Sequence, residues 1–316
     1  MKIAMLFPGY GSQFVGMGKE LYDESRIMQE YFEEASVCLP INFVKLCFAS
    51  SDAELGKSVH AYPALFLICI SVYEILKKEG IKPDIVSGYL GGEYMALYAA
   101  GCISFPDGLY LLHKYATLYQ ELLGTGDFMA LRVSGIVAKK LQALCKEVHD
   151  DALQADIALY EGSQDFVVTG HAQALEQIRY KAREIGASIK NVSVEIGLHS
   201  SLMQPVAAGL KMYLEKVDFK DAHTPFISCL DGKVVQKAKK VRDFIIANVI
   251  ESVRWDKVLK ELSDYDVILE IGPASSITTQ IAALYPDKKI MTIIKPADIK
   301  MLKQLLASPV QEVQAE

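Results

Sequence analysis

The sequence predicts an α/β protein built on a parallel sheet and interrupted by a small α+β unit of split βαβ type. Three observations carry that prediction. From the N-terminus to about residue 123, short apolar runs of strand length alternate with helical segments, the rhythm of parallel strands joined by crossover helices. Near GTGD, Gly124 to Asp127, the rhythm changes to four short strands around two helices within about 70 residues. Beyond residue 195 the first rhythm returns. The large domain is therefore expected at 1–126 and 195–316, with 127–194 as the insert.

Ile3 to Phe7 reads as a buried strand, stopped by PGYGS. A helix from about Gly18 to Val37 follows. The segment Tyr62 to Lys78 is apolar nearly all round, which predicts a central helix. GIKPD, Gly80 to Asp84, breaks that helix and launches the strand DIVSG. A helix to Ala100 and another from Phe105 to Leu123 complete the first part. In the insert, FMALRVS, DIALY, DFVVTG and ASIKNVSVEI read as strands, with helices at Ala138 to Val148 and Ala172 to Ile185. The large domain resumes with a helix from Ser201, strand PFISCL and helices around Phe244 and Trp255. Strands DVILEIG and KIMTII precede a last helix.

Composition narrows the function. The chain has 316 residues, 51% hydrophobic and 23% charged, enough to bury a large core. Its net charge of −6 gives no electrostatic reason to expect nucleic acid or an anionic membrane. The one dense basic run, KAKKVR from Lys237 to Arg242, reads as a solvated face. Six cysteines (38, 47, 69, 102, 145, 229) show no C-x-x-C and no metal-like spacing, which predicts buried free thiols in a reducing cytosol. MKIAMLFPGYG is too short in its apolar run for a signal peptide and reads as a first strand. No apolar run approaches the ~18 residues of a spanning helix. FPGYGS lacks Walker spacing, so its glycines read as turn glycines. These features predict a cytoplasmic protein with no metal and no cofactor.

SGYLGGEY, Ser87 to Tyr94, has the layout of a nucleophile elbow, G-x-S-x-G, with a strand before it and a helix after it. Its central position is Leu90, which carries no nucleophile.

Several further motifs fall in one order. They are FPGYGSQFVGMG at Phe7 to Gly18, YPAL at 62 to 65, GYLGGEYMALYAAG at 88 to 101, LHSSLM at 198 to 203, ESVRW at 251 to 255 and EIGPAS at 270 to 275. Together they resemble the malonyl-CoA:acyl-carrier-protein transacylase family, which includes the acyltransferase domains of polyketide synthases. The likeness covers nearly the whole chain. It implies an α/β-hydrolase-like large domain with a ferredoxin-like insert. It also implies two-step acyl transfer, in which an elbow serine attacks a coenzyme A thioester and a histidine serves as base. Two backbone N–H groups stabilise the oxyanion, and an arginine holds the malonyl carboxylate.

Carried over position by position, the resemblance puts Leu90 at the nucleophile, Tyr89 at a histidine and Gly91 at a leucine. Tyr115 stands at the acid-binding arginine, and the adjacent Lys114 points elsewhere, since neighbouring helical residues lie about 100° apart. Tyr10 and Gly91 stand where the oxyanion N–H groups are drawn, and Tyr62 replaces a glutamine. His199 matches the base, Asn248 a glutamine whose carbonyl orients it, and Gln13 also matches. The resemblance thus implies a malonyl-transacylase-like protein with a defective site, still docking an acyl carrier protein or synthase partner. Two alternatives stay open: an enzyme of altered mechanism, such as a thioester hydrolase using His199, and a small-molecule module using the tyrosine-rich cleft. Ser87 and Ser104 do not replace the lost serine by position. Glu93 reads as satisfying backbone donors at the helix start.

Overall fold

Strand β1 (Ile3–Phe7) is apolar along its whole length because it lies inside a sheet, buried on both faces. In the computed structural model, which describes residues 1–150, 152–192, 197–273 and 276–307, β1 pairs in parallel with β2 (Ile85–Gly88) on one side. Among the later strands are β3 (Phe128–Ser134), β4 (Ala155–Tyr160), β5 (Asp165–His171) and β6 (Ser188–Val192). The rest are β7 (Phe226–Ile227), β8 (Val234–Val235), β9 (Val267–Ile271) and β10 (Lys289–Ile293). β9 is the other parallel neighbour of β1, with Ile3 opposite Val267. The large sheet runs β10-β9-β1-β2-β7-β8 and is parallel except for β8.

The helix Ser58–Lys78 packs into the core with most of its side chains buried. By length and composition it could cross a membrane, contrary to the sequence expectation, but 78% of its apolar window is covered by the rest of the protein. Pro63 sits inside it. A proline cannot donate to the carbonyl four residues earlier, at Val59.

Strands β3 to β6 form a second, antiparallel sheet in the order β4-β5-β3-β6. Chain order there is βαββαβ, with helices Ala138–Val148 and Ala172–Glu184, the ferredoxin-like arrangement. Leu141, Cys145, Ala174, Leu175 and Ile178 cover one face, against Leu131, Val133, Phe166 and Val168. Ala130, Leu159 and Val167 on the sheet instead join the core of the large domain. Backbone bonds fasten the junction: Val253 N–H donates to the Ala158 carbonyl at 2.8 Å, and Tyr160 N–H to the Val253 carbonyl at 2.9 Å. The Ser252 hydroxyl adds a bond to the Ile157 carbonyl at 2.6 Å.

The structure departs from the sequence reading in several places. The helix expected over 18–37 is two helices, Lys19–Glu24 and Arg26–Cys38, because Ser25 is extended at φ −111° and ψ 114°. The Gln29 amide stabilises the break by donating to the Tyr22 carbonyl at 2.9 Å. Short helices Phe43–Phe48 and Asp52–Leu55, and strand β8, were not anticipated. The central helix starts at Ser58 rather than Tyr62. All six cysteines are free, as expected, but Cys38 is exposed rather than buried. The strand expected over 187–196 is described only as β6; residues 193–196, and Ala274 and Ser275 of EIGPAS, lie outside the described residues.

Candidate active site at the strand–helix elbow

The elbow is a turn between β2 and the helix Gly92–Ala99, and its glycines are there for space. A Cβ on Gly88 would lie 2.0 Å from the Gly92 carbonyl carbon, and one on Gly9 would lie 2.0 Å from the Leu90 oxygen. Leu90 occupies the apex at φ +52° and is 5% exposed. His199 also sits at φ +52°, and these two are the only non-glycine residues with positive φ among the described residues. Each such conformation costs about 1–3 kcal/mol. Gly91, at φ +99°, does not relieve Leu90; both residues stay left-handed. The strain therefore falls at the two positions expected for nucleophile and base.

His199 lies at the start of the segment that leads into helix Gln204–Leu214. Its Nδ1 is 2.6 Å from the Asn248 carbonyl, so the backbone of helix Ala238–Ile250 orients the ring. Among the described residues, no hydroxyl or thiol is hydrogen-bonded to His199. Ser87 is buried and donates to the Ile227 carbonyl at 3.0 Å. Ser104 caps helix Phe105–Leu123. Ser200 donates to the Gly197 carbonyl, and Cys229 donates to Glu93 Oε1 at 3.3 Å and Asn248 Oδ1 at 3.1 Å. The imidazole instead opens into a cleft of about 580 Å³, lined also by Tyr160, Gln204 and Arg254.

Both groups proposed for the oxyanion hole already have partners. Tyr10 N–H donates to the Leu90 carbonyl at 2.9 Å. Gly91 N–H donates to Glu93 Oε2 at 2.6 Å. Glu93 is thus a buried internal carboxylate capping its own helix start, with the Cys229 thiol on its other oxygen. A developing oxyanion would have to displace these bonds, which removes the pre-organisation that makes such donors effective.

The tyrosines at 10, 62 and 115 pack together. Tyr10 stacks on Tyr62 with ring centres 5.0 Å apart, and Tyr62 meets Tyr115 edge-on at 5.3 Å. Tyr115 stacks on Tyr119 at 6.3 Å. The Tyr10 hydroxyl donates to the Gly56 carbonyl at 2.9 Å. Tyr62 is 1% exposed and lies against Gly91, where a Cβ would come within 2.5 Å of its ring. Burial pushes the Tyr62 and Tyr115 phenols upward in pKa, so neither is a ready phenolate. Among the described residues no cation stands in this column: the Lys114 ammonium lies over the Tyr110 and Tyr213 rings instead. The Gln13 side chain accepts from Gly11 N–H at 2.8 Å, closing its own loop.

Sequence reasoning missed the partners of the elbow. Tyr89 donates to Glu161 across 72 positions, and Arg132 pairs with the same carboxylate. Tyr89 also packs on Trp255, ring centres 4.8 Å apart. No local pattern signals such a contact; only the docking of β4 beside the elbow brings Glu161 there.

Burial pushes the His199 imidazole down in pKa, against the opposing pull of the Glu93 carboxylate and the Asn248 carbonyl. The unfolded chain therefore takes up a proton, near pH ~6.5, that the folded protein refuses. Stability contributed by neutral His199 is present above that pH and is lost as pH falls below it. His199→Gln should flatten the acid limb, losing less stability between pH 7 and 5 by up to about 1.4 kcal/mol per pH unit. Urea unfolding at the two pH values reads this, and identical acid limbs in both proteins would contradict it.

The fold and site define a class: an α/β acyl-transfer scaffold with an elbow and a carbonyl-oriented histidine beside a ferredoxin-like insert. The chain belongs to the acyl transferase domain family, which it matches over residues 4–296. It is 32% identical over 309 residues to the malonyl CoA-acyl carrier protein transacylase of Bacillus subtilis, covering 96% of this chain and 97% of that one. The corresponding Escherichia coli protein is 27% identical over 281 residues, 88% of this chain and 91% of the other. Among solved structures, the Coxiella burnetii malonyl CoA-acyl carrier protein transacylase superposes with a TM-score of 0.92 at 25% identity, covering 98% of each chain. A malonyl-transacylase solved in complex with its type II polyketide acyl-carrier protein superposes at 0.91 and 25% identity, covering 96% of this chain and all of that one.

Proposed function

We propose that this chain is a catalytically defective member of the family, a pseudo-acyltransferase of fatty acid or polyketide synthesis that still receives an acyl carrier protein. The observation that carries the reading is the apex of the elbow. Leu90 holds the strained backbone of a nucleophile without an attacking atom, and no other hydroxyl or thiol among the described residues bonds His199. The tyrosine column supports it by filling the space beside Gly91. Carrier docking is supported by the relative solved with its carrier and by the open cleft at His199. The work of such a protein is cytoplasmic.

The test has two arms. Protein incubated with malonyl-CoA and weighed intact is expected to stay unmodified; a malonyl mass on the wild-type chain overturns the defect. In the second arm, titration of a holo acyl carrier protein from the same source is expected to shift carrier NMR resonances. If no resonance moves at saturating concentration, the docking half is wrong while the catalytic half stands.

The hydrolase reading needs a free oxyanion site, and the engagement of Tyr10 and Gly91 N–H groups weighs against it. The tyrosines at 10, 62 and 115 pack on one another, which weighs against a small-molecule module there.

A further inference from the structure

Tyr89, the residue before the elbow apex, sends its hydroxyl to Oε1 of Glu161, which follows β4 of the insert. Arg132, on β3, donates to both oxygens of the same carboxylate, through Nη1 to Oε2 and Nη2 to Oε1, the latter at 3.3 Å. The Glu161 side chain is 4% exposed, whereas that of Arg132 is 33% exposed. A carboxylate is thus held by a two-pronged guanidinium and a phenol, the geometry with which proteins recognise acid groups in ligands. Here the acid belongs to the chain itself. The guanidinium keeps a route to solvent, and the buried member of the pair is the glutamate.

We propose that Arg132 and Tyr89 form a carboxylate-binding site at the seam between insert and large domain, which the protein keeps filled with its own Glu161. Small carboxylate ligands gain the site only when Glu161 is removed. The site is separate from the Tyr115 position on helix Phe105–Leu123 and does not depend on whether the elbow transfers acyl groups. The seam is also closed on the large-domain side by the Tyr89–Trp255 ring contact, so occupancy of the site is coupled to the position of the elbow.

Trp255 is the only tryptophan in the chain, so its emission reports on Tyr89. Malonate and the neutral malonamide are titrated into wild type, Glu161→Ala, and Glu161→Ala/Arg132→Met, following tryptophan fluorescence and calorimetric heat. Glu161→Gln, nearly isosteric, is run in parallel as a variant that keeps the local packing, and circular dichroism checks each fold. The expected result is malonate binding at least about tenfold tighter in Glu161→Ala than in wild type, the gain of one charge-assisted pair, while Glu161→Gln, whose amide still fills the site, stays near the wild-type level. Binding should return to the wild-type level with Arg132→Met, and malonamide should give no response. Equal malonate affinity in wild type and in the folded Glu161→Ala variant overturns the proposal. So does tight binding that survives Arg132→Met, or a malonamide response equal to that of malonate.

Discussion

Leu90→Ser will not restore malonyl transfer. The single variant supplies an oxygen at the apex, yet three other requirements stay unmet. Tyr115 offers a buried phenol where a carboxylate needs a cation, and its own pKa is pushed up by burial. Tyr62 and Tyr10 stack beside Gly91, where an acyl group would need room. Both backbone donors are already bonded, Tyr10 N–H to the Leu90 carbonyl and Gly91 N–H to Glu93. Loss of one oxyanion donor alone costs about 10²–10³ in rate. Malonylation of the variant, followed by intact mass, should therefore run at least about 1000-fold slower than that of the Bacillus subtilis transacylase assayed beside it. Rates within tenfold would show that the cleft had kept its acyl pocket. Adding Tyr115→Arg is no remedy, because an unpaired guanidinium in a site that is 6% exposed destabilises the fold.

The second large effect concerns stability. Gly92→Ala should lose more than about 4 kcal/mol, enough to abolish soluble folded protein in a marginal background. A Cβ there would stand 2.0 Å from the Phe7 carbonyl oxygen and 3.0 Å from that of Pro8. Both obstacles are backbone of β1 and its loop, which the sheet holds in place, so no side chain can swing away. Gly16→Ala is the control: its φ is +98° but nothing lies within 4 Å of the new methyl. That change should cost only about 1–2 kcal/mol, from left-handed backbone alone. Urea unfolding of the two variants separates steric exclusion from conformational preference. Equal losses would show that the elbow is not held by its contact with β1. The expected contrast gives the turn a structural reason to persist whatever its apex carries: its glycines are fixed by the sheet–helix junction.

Much of this site was legible before any coordinates. The spacing of Gly88 and Gly92 around Leu90 announced an elbow, and the change of rhythm at Gly124 announced the insert. Other features were hidden for identifiable reasons. The break at Ser25 is invisible because the apolar positions Leu21, Met28, Phe32 and Ala35 continue across it on one buried face. The helices Phe43–Phe48 and Asp52–Leu55 are too short to show a period. The occupation of Gly91 N–H by Glu93 depends on a rotamer, and the Tyr89–Glu161–Arg132 contact depends on how two sheets meet. Neither is a property of a sequence window.

The position of β1 has a consequence for the newborn chain. One edge of this strand is satisfied by β2, but its other edge waits for β9, where Val267 lies opposite Ile3. At about 5–20 residues per second of synthesis, the ribosome delivers that partner on the order of ten seconds or more after IAMLF has emerged. The ferredoxin-like insert carries all its sheet partners within β3 to β6 and can close in the meantime. The first strand thus presents an unpaired edge that has to be shielded until nearly the last strand arrives.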